Sequence, residues 1–475
     1  MKQIYHIEKI FKPIVTVSLL LLFIAPCHAD EGDNLTYGVR TFSYDNKQYG
    51  FVSGTVSKTI TFAFIPASRN ITSYNITKEY PIRGIGNSAF ANCTLLSGVV
   101  FRSEYMLEIH AQAFEGCTKL KSIELPRCVR TIEKLAFYGC RALQSISFSD
   151  SLRYIAACGF QNCTRLQSIT LPDSVQFIGD YSFSGCTGLT SVTLGKGLKS
   201  LGNYAFQNCT SLETVIMPQG LSTIGDYAFI GCTKIDSLNL PTTLTYIGEH
   251  AFDGCTGLKN IDLPYSLTDI KYYAFSGCTG LTKVTLPPHL IYLGSCAFAG
   301  CTSLDTVVFP ETSVNVSIRD YAFINCTNLK SVTLHDNNFR IYDGAFKNCT
   351  SLPKITIPAG MVKIDAMAFE GCTALDSVTC LVEEPFAFGK DAFKNISPKC
   401  VLTVPYGKRS AYIAAGWTTD VFKGGVVELP APEGIQAVKV NKADKGIYYD
   451  LEGREVLQPE KGRIYIRKGK KVLVR

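Results

Sequence analysis

A cysteine that returns every 23 residues constrains this 475-residue chain more than any other feature. Thirteen such cysteines are separated by twelve intervals, of which ten are 23 residues and the other two are 24 and 25. A phenylalanine stands three residues before each of them, and Phe393 continues the series without a cysteine. The thirteen are Cys93, Cys117, Cys140, Cys163, Cys186, Cys209, Cys232, Cys255, Cys278, Cys301, Cys326, Cys349 and Cys372. A fixed period of this length with LxxLxL content predicts a leucine-rich solenoid, in which each coil contacts only its neighbours.

One repeat, Ile247 to Pro264, shows how a coil is built. Leu258, Ile261 and Leu263 are apolar and have polar residues between them, which predicts a short strand with one face in the core. Pro264 cannot donate to a strand ladder, so the strand ends there. One strand per coil predicts an α/β solenoid dominated by β structure. We expect a right-handed leucine-rich repeat horseshoe with a parallel sheet on its concave side.

The turn before each cysteine is predicted to form the convex side. A stretch such as Gly225 to Phe229 is long enough for one helical turn, and Asp180, Asp226 and Asp320 are placed to cap it. The residue before each cysteine is always glycine or asparagine. These two types adopt positive φ most readily, so this position is predicted to have a left-handed backbone.

The cysteines themselves are predicted to be structural. A cysteine at a fixed buried site is a small apolar residue with a weak S–H donor. Side chains stacked from identical coils point the same way, so a disulfide between them would distort the stack and none is expected. The sequence lacks CxxC motifs and clustered Cys/His pairs, so it does not support a zinc site. The sequence leaves open whether Cys380 and Cys400, which lie outside the series, form a disulfide.

The ends of the chain differ from its middle. Residues 1–29 are predicted to be a secretory signal peptide, because three lysines precede an apolar run that is too short to span a bilayer. Cleavage is expected before Asp30, and lipoprotein processing at Cys27 is the alternative.

The remaining boundaries follow from the repeat and from composition. An N-terminal β cap is predicted over 30–81, with a hairpin from Val39 to Gly54, because an open solenoid end needs covering. The solenoid of about 13–14 coils is placed at 82–400. A C-terminal cap with a short helix (401–429), a linker (430–442) and a basic β-rich tail (443–475) complete the chain.

Charge is concentrated at the two ends of the chain. Residues 439–475 carry a net charge of +6 and the leader carries +2, which leaves −1 of the total +7 for residues 30–438. A nearly neutral solenoid argues against nucleic acid or an anionic membrane surface as a partner. Contact with a membrane is therefore expected only through anchoring, and nothing in the sequence sets the oligomeric state.

A protein or glycan ligand is expected on one of two surfaces. The outward strand positions carry mostly serine and threonine. Threonine also favours strands independently of any ligand. The middle coils interrupt this pattern, and they supply the candidate concave-face residues Glu213, Asp236, Asn239, Lys259, Asn260, Asp262 and Lys283. Five tyrosines share one position of the convex turn, namely Tyr181, Tyr204, Tyr227, Tyr273 and Tyr321. These tyrosines either form a ridge that contacts a sugar or a protein, or they pack over the turn without contacting a ligand.

Catalysis is not expected. His110, His250, His289 and His335 lie on separate coils. None has the HExxH context of a metalloprotease, and the chain lacks a GxSxG elbow and a glycine-rich phosphate loop. The sequence therefore predicts neither an enzyme nor a cofactor.

The repeat IGxxAFxGCTxLxSVxLP resembles the BspA-type leucine-rich repeat family from about Ile82 to Gly416. This resemblance implies a surface protein that binds host matrix or neighbouring cells. The ending GIYYDLEGREV with KGRIYIRKGKKVLVR resembles the C-terminal sorting tails of Bacteroidetes proteins exported by the type IX route, which implies the outer surface of a Gram-negative cell. The leading hypothesis is an adhesin-like binding protein. A carbohydrate-capturing accessory protein of polysaccharide uptake is the alternative, and a structural envelope protein is a third.

Overall fold

The computed structural model describes residues 34–41, 48–73, 76–311, 316–336 and 340–430. It also describes the short tail stretches 435–438, 448–449, 455–456, 463–467 and 470–474. The predicted signal peptide and both candidate processing sites lie outside these residues.

The chain begins with a small β region that starts both sides of the solenoid. Strands β1 (Leu35–Thr41) and β2 (Gln48–Thr55) pair antiparallel, which confirms the predicted hairpin, although its turn lies outside the described residues. Strand β3 (Phe62–Ile65) follows, and β4 (Ser68–Ser73) pairs antiparallel with β5 (Ile76–Ile85). Strand β5 also pairs in parallel with β2, so it joins this region to the first coil.

Most coils contribute two strands, and the expectation of one strand per coil is wrong. The first strand ends at the isoleucine or leucine before the AF turn, and in most coils it is two residues long. The alternation of apolar and polar residues that marks a strand is recognised over four to eight residues. A strand of two residues is too short to show this pattern in the sequence. The second strand is the one that the sequence predicts. The two sets of strands form two parallel ladders along the solenoid, with a register of one repeat between neighbours.

The first ladder joins β5 to the short strands of the following coils. In chain order these are β7 (Glu108–Ile109), β9 (Thr131–Ile132), β11 (Tyr154–Ile155), β13 (Phe177–Ile178), β15 (Ser200–Leu201), β17 (Thr223–Ile224), β19 (Tyr246–Ile247), β21 (Asp269–Ile270) and β23 (Tyr292–Leu293). Further along, β26 (Arg340–Ile341) pairs with β28 (Lys363–Ile364), and Ile318 bridges to Ile341.

The second ladder is divided into several short sheets. It begins with β3 and β6 (Gly98–Phe101) and ends with β27 (Lys354–Ile357), β29 (Ser377–Cys380), β30 (Val401–Val404) and β31 (Gly425–Glu428). Between them lie β8 (Ser122–Glu124), β10 (Ser145–Ser147), β12 (Ser168–Thr170), β14 (Ser191–Thr193), β16 (Thr214–Ile216), β18 (Ser237–Leu238), β20 (Asn260–Ile261), β22 (Lys283–Thr285), β24 (Thr306–Val308) and β25 (Ser331–Thr333).

The core between the ladders is a stack of identical layers. Phenylalanine rings from Phe90 to Phe393 lie one on the next, with centroids 5.0–5.4 Å apart and planes within 10° of parallel. Beside them, each cysteine after Cys93 donates its S–H to the phenylalanine carbonyl of the preceding coil, at 3.1–3.3 Å. Each of these carbonyls also accepts the backbone N–H of the cysteine in its own coil, so the thiol adds a second hydrogen bond that links one coil to the next.

The predicted left-handed position is confirmed in all thirteen coils. The eight glycines and five asparagines before the cysteines have φ between 54° and 76°. A second left-handed position lies four residues earlier and was missed. It is occupied by tyrosine in five coils, for example Tyr227 with φ 58°. With both residues left-handed, the amides of Tyr227, Phe229 and Gly231 all donate to carbonyls of the next coil.

The predicted capping aspartates act between coils instead. The backbone N–H of Glu249 donates to Asp226 Oδ1 at 2.9 Å, and that of Asn203 donates to Asp180 Oδ1 at 2.8 Å. Asp320 accepts a hydrogen bond from Ser295 Oγ. The turn contains no helix whose amides need a cap, so Asp180 and Asp226 bind amides of the next coil and Asp320 binds a hydroxyl of the preceding one.

The C-terminal region closes the stack with a helix and aromatic rings. Helix α1 (Arg409–Ala414) carries the fully buried Tyr412, and the Trp417 Nε1–H donates to the Phe386 carbonyl at 2.7 Å. Within the described part of the chain, no helix has the length and apolar character needed to cross a membrane.

The tail forms a separate sheet. Its strands are β32 (Ile435–Val438), β33 (Tyr448–Tyr449), β34 (Glu455–Val456), β35 (Ile464–Arg467) and β36 (Lys470–Val474). Strand β32 pairs in parallel with β36, which corrects part of the predicted linker over 430–442. The proline and glycine signals end at Gly434, just before this strand begins.

Thiol chemistry tests the buried ladder. All eighteen described cysteines are free, and burial raises the pKa of ladder thiols, to about 12 for Cys117. Thiolates are the reactive form. We therefore expect iodoacetamide to label the half-buried Cys128, Cys158 and Cys296 in the native protein and to spare the thirteen ladder cysteines. Peptide mass spectrometry measures this, with denatured protein as control. Labelling of Cys255 as fast as Cys128 would contradict the model.

Two substitutions at one position test the left-handed backbone. A Cβ built on Gly254 has no neighbour closer than 4.0 Å, so space does not limit the side chain there. Gly254→Asn should change the free energy of unfolding by less than about 0.5 kcal/mol. Gly254→Val should cost about 1–2 kcal/mol, because a β-branched residue is strained at positive φ. Denaturant unfolding measures both, and equal stability of the two variants would argue against a conformational cause.

Candidate ligand-binding surface

The seven candidate residues of the middle coils all lie exposed along the second ladder. In β20, Ile261 points into the core, so the residues on either side of it point outward. Strands β18 and β20 pair in register, which places Asn239 beside Asp262 in the next coil. The structure thus gathers polar side chains on one surface, whose curvature and role as a binding face remain predictions.

The second ladder is weakest in these coils. Strands β18 and β20 are each two residues long, and they form a sheet separate from β16 before them and β22 after them. Leu263 is only partly buried, whereas the equivalent Leu194 and Leu286 are buried. The amide of Leu286 donates to the Val308 carbonyl of the next coil, and among the described residues Leu263 has no such bond. The second ladder is therefore interrupted between β20 and β22, which separates it there into two sheets.

A surface depression of about 390 Å³ lies at this separation. Its lining includes Asn260, Asp262, Tyr265, Lys283, Thr285 and Pro288. Three of these, Asn260, Asp262 and Lys283, are candidates from the sequence. In the described structure, neither Asp262 nor Lys283 has an oppositely charged partner within 4.0 Å. The depression thus holds one carboxylate and one ammonium group that no neighbouring charge neutralises.

An aromatic pair beside the depression was missed by the sequence analysis. Tyr265 is 68% exposed, and its ring meets that of His289 at 90° with centroids 4.4 Å apart. Both residues follow the strand-ending proline, where other coils have small or polar residues such as Thr242. This departure from the repeat was a usable signal.

The remaining candidates lie outside the depression. Glu213 pairs with Lys234 across 3.7 Å on the exposed surface, and Asp236 accepts a hydrogen bond from Ser237 Oγ. Lys259 follows Asp236 in the next coil, where its amide donates to the Asp236 carbonyl. Exposed ion pairs of this kind contribute little stability, so these side chains remain available to a ligand.

The convex tyrosines form a stack rather than separate platforms. The rings of Tyr181, Tyr204, Tyr227, His250 and Tyr273 follow one another at 4.4–4.7 Å with planes within 8° of parallel. Each inner ring has both faces covered by its neighbours. This geometry favours packing over ligand contact, because a sugar or side chain cannot reach the faces. His250, which also contacts Asp253 Oδ2 at 2.8 Å, belongs to the stack and was not predicted there.

Tyr321 stands apart from this stack. The intervening coil has Cys296 at the equivalent position, which interrupts the row of rings. The Tyr321 ring lies instead against Gly344 of the next coil, where an added Cβ would come within 2.3 Å of Tyr321 Cε1. Its ring is therefore also engaged in coil-to-coil packing.

The first ladder presents a second surface that the sequence analysis did not recognise. Tyr154 and Phe177 are exposed neighbours in adjacent strands. Further along, the Lys271 ammonium lies 4.5 Å from the centre of the Tyr292 ring, and the Arg340 guanidinium lies 4.0 Å from that of Tyr342. These side chains come from two-residue strands or from the residue after them, which explains why no strand pattern revealed them.

The described residues contain no group of three or more His, Cys, Asp or Glu side chains arranged to hold a metal ion. His110 is the histidine with the most polar surroundings, between Glu108 Oε2 at 3.2 Å and Glu133 Oε1 at 3.1 Å. The His110 hydrogen bond outweighs burial and lowers the pKa of Glu133. This pairing holds a charged carboxylate in place beside β1 and supplies no nucleophile.

Comparisons with known proteins connect the repeat to one family. Residues 58–187, 107–236, 155–281, 222–317 and 312–407 match the BspA type leucine rich repeat region, with six copies. The matches extend over residues 58–407 of the 475. No curated protein matches the chain.

A solved structure of a leucine-rich repeat protein shows the same kind of fold. A leucine-rich repeat protein from Bacteroides ovatus is 28% identical, with a TM-score of 0.69 over 84% of this chain and 98% of that one. A leucine-rich cell surface protein from Faecalibacterium prausnitzii is 22% identical, with a TM-score of 0.43 over 81% and 96%. A leucine-rich repeat protein from T. pallidum is 29% identical, with a TM-score of 0.38 over 43% and 90%.

The stacked tyrosines can be tested for a structural role. Tyr227 lies between Tyr204 at 4.5 Å and His250 at 4.7 Å. Tyr227→Ala should lower the free energy of unfolding by about 1–3 kcal/mol, because it removes two ring contacts. Tyr227→Phe and Tyr105→Ala, at an exposed tyrosine of an early coil, should each change it by less than about 0.5 kcal/mol. Unchanged stability in Tyr227→Ala, measured by denaturant unfolding, would contradict a packing role.

Proposed function

Because the chain belongs to the BspA-type leucine-rich repeat family, we propose that it is an exported, non-catalytic binding protein of the adhesin type. It presents the second ladder to a protein of the host matrix or to a neighbouring cell. The chain needs no cofactor for this role. The separate basic tail acts in export as a sorting signal, and the protein works at the cell surface or outside the cell.

One observation supports this proposal above the others. The buried positions of each coil repeat almost without change, whereas charged residues and amides collect on the outside of the middle coils at Asn239, Asn260, Asp262 and Lys283. The repeated core residues are needed for folding, whereas the charged residues on the solvent-exposed face are not. A stack of coils makes an extended surface of this kind, which suits a large partner.

A second role shares the same surface. Carbohydrate capture for polysaccharide uptake would also use exposed polar side chains around an aromatic ring, and Tyr265 beside Asp262 favours it. This role predicts glycan binding without binding to matrix proteins. A purely structural envelope protein, the third candidate, would bind neither class.

A triple substitution tests the binding surface. Replacing Lys259, Asp262 and Lys283 by alanine should weaken binding to the ligand at least about tenfold, because it removes three of the charged groups of the middle coils. The mature protein is assayed against an array of matrix proteins and glycans. An unchanged profile would refute the assignment of the surface.

A matched control uses three residues of an early coil. Replacing Lys119, Lys121 and Glu124 by alanine also removes two positive charges and one negative charge from exposed positions. This variant should bind as the unmodified protein does. Equal losses in both triple variants would indicate a general effect of charge and not a local site.

A further inference from the structure

The depression between β20 and β22 combines features that a sugar requires. A pyranose has hydroxyl groups around its rim and an apolar face of C–H bonds. Its recognition therefore needs short hydrogen-bonding side chains beside an exposed ring. Asn260, Asp262 and Thr285 supply the amide, the carboxylate and the hydroxyl, and Tyr265 supplies the ring. The volume of about 390 Å³ lies near the lower end of the range for small-ligand sites, ~300–1,000 Å³.

The aromatic ring is held in place but not covered. Tyr265 meets His289 in a perpendicular contact, which leaves at least one face of the Tyr265 ring uncovered by His289. Tyr265 is 68% exposed, so this face is open to solvent. The stacked convex tyrosines differ, because their neighbours cover both faces of the inner rings. Tyr265 is thus placed to stack on an apolar ligand face.

The charges of the depression favour a neutral ligand. Asp262 and Lys283 contribute one negative and one positive charge to the lining, so the net charge is zero. Neither has an ion-pair partner within 4.0 Å among the described residues, so both retain hydrogen-bonding capacity for a ligand. An acidic peptide or a polyanionic glycan would meet Lys283 favourably but would be repelled by Asp262.

The depression lies where the second ladder is interrupted. Strand β20 is two residues long and does not continue into β22, and Leu263 is partly exposed at the floor of the depression. In several other coils the equivalent leucine is buried and its amide bonds to the next coil, as for Leu194. The irregular coils therefore expose both an apolar floor and polar walls.

We infer that this depression binds one pyranose unit of a neutral oligosaccharide, with the ring stacked on Tyr265 and its hydroxyl groups bonded to Asp262, Asn260 and Lys283. The inference rests on the proposed binding function and names the ligand class of that surface. Asp262 accepts hydrogen bonds from two sugar hydroxyls, and Lys283 donates to one. The open ends of the depression admit the sugars on either side, so an internal unit of a chain fits as well as a terminal one.

Isothermal titration of the mature full-length protein tests this inference. The probes are cellohexaose, maltohexaose, xylohexaose and mannohexaose, with a hyaluronan hexasaccharide as the acidic counterpart. At least one neutral probe should bind, and the hyaluronan probe should bind more weakly. Titration up to about 10 mM detects dissociation constants of millimolar order. No binding by any neutral probe, or stronger binding of hyaluronan than of all of them, would overturn the inference.

Variants assign the binding to the depression. Tyr265→Ala and Asp262→Asn should each weaken binding about tenfold or more. Tyr265→Phe keeps the ring and should weaken binding less than Tyr265→Ala does, and Tyr105→Ala, at a similarly exposed tyrosine of an early coil, should have no effect. Binding that survives Tyr265→Ala would contradict the stacked geometry. If matrix proteins bind through the triple-variant surface while no neutral probe binds, the proposed function stands and the saccharide inference fails.

Discussion

The contact of one coil with the next holds this protein together, and the cysteine and phenylalanine of each repeat provide its centre. Every ladder thiol after the first donates to the phenylalanine carbonyl one coil earlier, and the rings stack at 5.0–5.4 Å. A solenoid has no long-range core, so its stability is the sum of such nearest-neighbour contacts. The cysteine side chain is small, and the phenylalanine ring is thin along the solenoid axis. The coils can therefore approach closely enough for the two backbone ladders to form.

This dependence explains where variation is tolerated. The buried Phe252 and Cys255 have little freedom in size, and Gly254 has little freedom in backbone angle. Outward positions such as Asn260 and Asp262 touch no neighbour in the core and can change without loss of the stack. A binding surface can therefore arise on the same frame through a few outward substitutions, and the depression beside Tyr265 has this character.

Much of the frame could be predicted from the sequence, for physical reasons. The 23-residue spacing revealed the stacked core, and the choice of glycine or asparagine before each cysteine revealed the left-handed backbone. The first ladder could not be predicted, because a two-residue strand such as Thr223–Ile224 has no alternation to recognise. The left-handed tyrosines were missed because tyrosine rarely adopts that conformation. At the candidate site, Asp262 and Lys283 stood out by charge, and Tyr265 could have been found as a departure from the repeat. The interruption of the second ladder beside it could not be predicted, because no local pattern encodes it.

The central claim is that a regular frame acquires its binding site where the second ladder opens. Residue-resolved hydrogen exchange of the native protein tests this most directly, because it reports the opening of individual backbone bonds. The amide of Leu263 should exchange markedly faster than those of Leu194 and Leu286, which donate to the next coil. Equal protection of all three amides would mean that the ladder is closed at the depression, and it would contradict the account.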